Sequence, residues 1–79
     1  MTLEQIKSKL KTNIKDCEIT MEGDGCNCSA LIISPTFDGL TMLQRQKMVL
    51  GIMKDEFATG ELHALSIKAR TPAENLKIS

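Results

Sequence analysis

The chain has 79 residues, one small domain near the lower limit at which a single hydrophobic core suffices. With 42% apolar and 25% charged residues it is not a disordered composition, and the lack of Trp and Tyr leaves packing to Leu, Ile, Met and Val. Ten Lys and Arg balance ten Asp and Glu, and a net charge of zero weighs against non-specific nucleic-acid binding, which draws on phosphate neutralisation.

Thr2 and Gln5 form a capping-box pattern, and Leu3, Ile6, Leu10 and Ile14 then recur at helical spacing, so a first helix is expected over residues 3–14. From Cys17 the period changes to two. Cys17, Ile19 and Met21 alternate with Glu18, Thr20 and Glu22, the pattern of a half-buried strand. "GDG" is turn chemistry, with glycine open to positive φ and aspartate bonding nearby backbone. "NCSALIIS" resumes the extended pattern until Pro35 removes a ladder donor, so residues 17–34 read as a hairpin.

"TFDGLT" is a second turn, and Thr41 with Gln44 opens a helical stretch to about Ala58. Met42, Val49, Met53 and Phe57 share its apolar face, joined by Leu50, and Gly51 marks a bend or a break into two helices. Gly60 suits the helix stop. In "ELHALSIKA" the period returns to two, with His63, Leu65, Ile67 and Ala69 on one face of a strand over 61–69. "TPAE" supplies a cap, a first-position proline and the glutamate of another box, opening a short last helix. The order α-β-β-α-(α)-β-α implies an α+β domain, residues 1–79, with a three-stranded sheet covered by helices on one face.

No run approaches the roughly 18 apolar residues of a membrane span, and "MTLEQIKSKLKTNIKD" lacks the apolar centre of a signal peptide. Three cysteines, an odd number, fit a reducing compartment. The cytoplasm is the expected location, with an organelle matrix or the nucleus as eukaryotic alternatives.

Four residues carry donor chemistry. His63 is the single histidine, and such a residue is more often structural or solvated than a ligand. Cys26-x-Cys28 is a weak metal signal alone, since zinc modules usually carry two such pairs. Cys28 and Cys17 read as packing residues, whereas Cys26, beside glycines, reads as the exposed thiol. A closed zinc site from Cys17, Cys26, Cys28 and His63 has suitable atom types but no C-x-x-C knuckle to support it. Nothing supplies the third group and oxyanion hole that a Cys–His nucleophile needs, so no enzyme is expected. "QRQK" with Lys54 is either the solvated face of an amphipathic helix or a partner surface.

"GDG", "FDG", "LQRQ", "HALSIK" and "TP", in this order and over residues 3–74, resemble the BolA family. The run is especially similar to its bacterial IbaG-type branch. The resemblance implies a fold like that of class II KH domains. It also implies partnership with a monothiol glutaredoxin in iron–sulfur trafficking or iron regulation, through a [2Fe–2S] cluster shared with the glutaredoxin cysteine and a glutathione thiol. On this side the ligands would be the histidine of "HAL", here His63, and a residue of the loop between the first strands. Counting back from "FDG", Cys26 falls where the cysteine-bearing branch keeps its ligand, and Asn27 where the histidine-bearing branch does. Cys26 follows a flexible turn, which would let its thiolate move to an iron atom held by another protein. The family's "RHR" is Arg45-Gln46-Lys47 here, its Val-Tyr is Val49-Leu50, and Cys28 replaces a frequent aromatic. A KH-like nucleic-acid-binding regulator is the alternative, although the chain has no G-x-x-G to clamp a nucleic-acid backbone.

Overall fold

Thr2 opens the first helix as expected: its Oγ1 accepts from the Gln5 N–H at 3.1 Å, and the Gln5 side chain accepts from the Thr2 N–H at 2.9 Å. In the computed structural model, which describes residues 1–78, helix α1 (Leu3–Asn13) leads to strands β1 (Glu18–Gly23) and β2 (Asn27–Ile33). Helices α2 (Met42–Ile52) and α3 (Lys54–Thr59) follow, then β3 (Ala64–Arg70) and α4 (Pro72–Ile78). A single 3-10 turn at Pro35–Phe37, read only as a loop in the sequence, precedes α2.

The sheet order is β1-β2-β3, with β1 antiparallel and β3 parallel to β2. A parallel neighbour needs a crossover, which α2 and α3 supply. Register then sets two faces. Ile19, Ile32 and Ala69 form one row, and Met21, Ala30 and Ile67 the next. These rows join the core cluster of Ile6 and Leu10 from the first helix and Ile14 just past its end with Val49 and Met53 from the crossover. The opposite face carries Glu18–Ile33–Arg70, Thr20–Leu31–Lys68 and Glu22–Ser29–Ser66, mostly polar and of mixed sign. The expected three-stranded sheet with helices on one face is the observed architecture.

Three expectations shift in detail. Strand β3 starts at Ala64 rather than residue 61, because the Leu62 N–H donates to the Glu56 carbonyl and its side chain is fully buried. Residues 61–62 thus close off α3, and His63 stands outside the strand, exposed. The break between α2 and α3 falls at Met53 (φ −96°, ψ 13°), two residues after Gly51, which remains helical.

The α2 apolar face is also rearranged. Val49 and Met53 are fully buried, but Met42 is 58% and Leu50 38% exposed, and the buried position between them in phase is Arg45, only 5% exposed. Arg45, Val49 and Met53 stand four residues apart on one stripe. The guanidinium donates to the Ala69 carbonyl at 3.0 Å, to the Leu40 carbonyl at 3.1 Å, and to both Glu74 carboxylate oxygens at 2.7 and 3.1 Å. It also lies 5.9 Å from the Phe37 ring centroid. Gln46 Nε2 donates to the Ile67 carbonyl at 2.7 Å, so two α2 side chains cap the outer edge of β3. The reading of "QRQK" as a solvated helix face therefore fails at Arg45 and Gln46, which are anchors of the fold.

Candidate functional site

The β1–β2 connection is three residues, Asp24, Gly25 and Cys26, and it lies at the sheet end where β3 begins. Gly23 enters it at φ 106°, a conformation that glycine adopts without a Cβ clash. The Asp24 N–H donates to the Asn27 carbonyl at 3.0 Å and closes the turn. Asp24 Oδ1 in turn accepts the N–H of Cys26 at 2.8 Å and that of Asn27 at 2.7 Å. Those two donors, Asn27 first, hold the Asp24 carboxyl below its ordinary range, and the nearby His63 adds to the effect.

Cys26 is tied from the other side too. Its carbonyl accepts from the His63 N–H at 2.9 Å and from the Ala64 N–H at 3.0 Å. Gly25 meets the first residues of the chain so closely that a Cβ there would overlap the Met1 carbonyl. The turn expected to be flexible is therefore pinned by named hydrogen bonds. Cys26 is half-buried rather than fully exposed, and His63 is exposed. Both donor-bearing residues thus stand at one end of the sheet with their main chains bonded to each other.

The other two thiols lie elsewhere. Cys28 is 8% exposed on the helix-covered face, and burial first, then the charge of Asp24, pushes its thiol up from the ordinary cysteine value. A raised thiol is a poorer source of thiolate, which agrees with packing as its role. Cys17 precedes the far end of β1 and packs against the core. The six residue steps from Cys17 to Gly23 span about 20 Å of extended chain, too far for Cys17 and Cys26 to share one ion. Among the described residues no group of three His, Cys, Asp or Glu could hold a metal ion. The four-ligand zinc alternative is thus not assembled.

Cys26 and His63 offer one thiol and one imidazole, two of the four ligands that a [2Fe–2S] centre takes, with histidine a known replacement for cysteine at one iron. By donor type alone, the two residues fit part of such a ligand set. The sequence singled out both residues as candidates, and the structure bonds their main chains together. The sequence did not reveal the close seat of Met1 on Gly25, nor Asp24 bonding two successive amides, although "GDG" carried the signal for a local Asp–backbone bond.

The model of BolA-like proteins matches residues 7–74 of the chain. "Acid stress protein IbaG" of Escherichia coli is 34% identical over 74 residues, 94% of this chain and 88% of that one. A bolA protein homologue from Coxiella burnetii superposes with a TM-score of 0.82 at 32% identity, covering 96% of this chain and 97% of the other. The BolA domain of SufE1 from Arabidopsis thaliana gives 0.80 at 30% identity, covering 90% and 92%. Among the described residues no helix is long and apolar enough to cross a membrane. With fold, motif order and sequence in agreement, the chain belongs to the BolA family.

Proposed function

We propose that this protein is a non-catalytic partner of a monothiol glutaredoxin, contributing Cys26 and His63 to a [2Fe–2S] cluster shared with the glutaredoxin cysteine and a glutathione thiol. Its role would lie in iron–sulfur trafficking or iron regulation. The observation that carries this reading is the pair of hydrogen bonds from the His63 and Ala64 N–H groups to the Cys26 carbonyl. They bind the thiol-bearing loop to the imidazole-bearing segment before any partner arrives, which lowers the ordering cost of association. Membership of the BolA family and the two-donor set support it as well.

The chain's own part is to hold one thiolate and one neutral imidazole at a sheet end, leaving the remaining ligand positions to the partner. The test is anaerobic reconstitution with and without a monothiol glutaredoxin and glutathione, followed by visible absorption and circular dichroism. A cluster spectrum that requires the glutaredoxin and differs from that of the glutaredoxin alone is expected. Equal, stable cluster content in the isolated protein would contradict the partner role.

A further inference from the structure

The charges on the open sheet face are sorted by sign across it. Glu18 and Glu22 stand on β1, Lys68 and Arg70 on β3, and the middle strand carries Ser29, Leu31 and Ile33. The two outer strands lie two strand spacings apart, about 10 Å. Among the described residues none of these four charged side chains is in an ion pair. Leu31 and Ile33 between them are only half-buried. Leu76, 76% exposed on α4, lines a hollow with Glu18 and Ile33 and extends this apolar midline.

We propose that this face binds a second copy of the chain, sheet against sheet, about a two-fold axis running along the strands. That axis exchanges β1 and β3 and keeps each row in register. Glu18 of one copy then meets Arg70 of the other, Lys68 meets Thr20 between two glutamates, and Leu31 and Ile33 meet their own counterparts. Aligned sheets stack about 10 Å apart, within reach of such side chains. A two-fold across the strands would instead set β1 on β1 and acid on acid. Edge-to-edge pairing through β1 would gather Glu18 and Glu22 of both copies. Charge complementarity therefore selects one arrangement.

The contact is small. Three strands about 4.8 Å apart, the longest of seven residues, cover about 300 Å² in plan, against roughly 800 Å² per partner in a standard stable interface. The dimer is therefore weak and exchanges with monomer. Cys26 and His63 immediately precede β2 and β3, so both copies present them at the same end of the dimer, outside the three contact rows. Self-association goes beyond the cluster-sharing reading, and neither depends on the other.

The test follows the isolated, reduced protein from micromolar to millimolar concentration by sedimentation velocity and amide NMR. A dimer should appear toward the upper end and weaken as salt is raised, with shift changes confined to the rows of Thr20, Leu31 and Lys68 and their neighbours. Isotope-filtered NOEs between labelled and unlabelled copies should join Leu31 methyls to Leu31 methyls. Arg70→Glu should weaken association about tenfold or more, and Glu18→Arg combined with Arg70→Glu should restore it, since the swap sets opposite charges face to face again. A wild type that stays monomeric at millimolar concentration would overturn the proposal. So would a swap no better than Arg70→Glu alone, or shift changes gathered at another surface, such as the exposed Met42 and Leu43 or the Cys26 loop.

Discussion

Cys26 and Cys28 stand two residues apart in sequence and in different surroundings. Cys26 belongs to a pinned, half-buried loop; Cys28 faces the helices and is nearly buried. Cys26→Ser should strip the glutaredoxin complex of its cluster spectrum. Cys28→Ser should preserve it and cost about 1–3 kcal/mol in thermal or urea unfolding, for placing a hydroxyl in an apolar site. A bleached Cys28→Ser complex beside an intact Cys26→Ser complex would shift the ligand assignment by two residues. Gly25 offers a second test. A methyl group there collides with the Met1 carbonyl, so Gly25→Ala should displace the first residues or the loop and change the amide shifts of Cys26 and His63 in NMR. Unchanged shifts would show that the loop is not braced from that side. At this scale the sequence disclosed the donor atoms and the turn, because residue type is written in it. The contact of residue 25 with residue 1 was hidden, since a close approach between distant backbones leaves no local pattern.

Among the elements, Arg45 joins α2 to β3 and α4. Its pairing with Glu74, reinforced by the Thr71 N–H, lowers the Glu74 carboxyl from 4.5 to about 2. A carboxyl depressed in the folded state contributes stability above its unfolded range and loses it on acidification. The pair's contribution should therefore be complete above pH 4.5 and fade as pH falls toward 2. Glu74→Gln should flatten the acid limb of a stability-against-pH curve; an unchanged slope would contradict the pairing. Arg45→Ala should be more damaging, by about 1–3 kcal/mol for each carbonyl left without its donor in equilibrium unfolding, because the Leu40 and Ala69 carbonyls lose the guanidinium. Most of this architecture was legible from periodicity: the switches between periods of two and 3.6, and three capping boxes at Thr2, Thr41 and Thr71, located the elements closely. Arg45 was misjudged because a charged residue on an apolar stripe looks solvated until its partners are known. They come from residue 40, 69 and 74, and only tertiary structure brings them together. The strand start at Ala64 was shifted by a bond from the Leu62 N–H back to the Glu56 carbonyl, which the period-two pattern does not reveal.

For the molecule as a whole, neutrality extends to the open sheet face, where Glu18 and Glu22 on β1 offset Lys68 and Arg70 on β3. Such a face offers phosphate no field of one sign, and a shift assay with duplex or single-stranded nucleic acid should show no association that weakens steeply with salt. A steep salt dependence would favour the regulator alternative. What the whole molecule does supply is a sheet end at which the Cys26 loop and the His63 segment are bonded main chain to main chain. The most direct measurement is pulsed EPR of the reduced cluster in the reconstituted glutaredoxin complex, recorded for wild type, His63→Ala and Cys26→Ser. Wild type should show coupling to an imidazole nitrogen, His63→Ala should lack it, and Cys26→Ser should fail to retain the cluster. An imidazole signal that survives His63→Ala, or a wild-type spectrum identical to that of the glutaredoxin alone, would contradict the assignment of Cys26 and His63 as shared ligands.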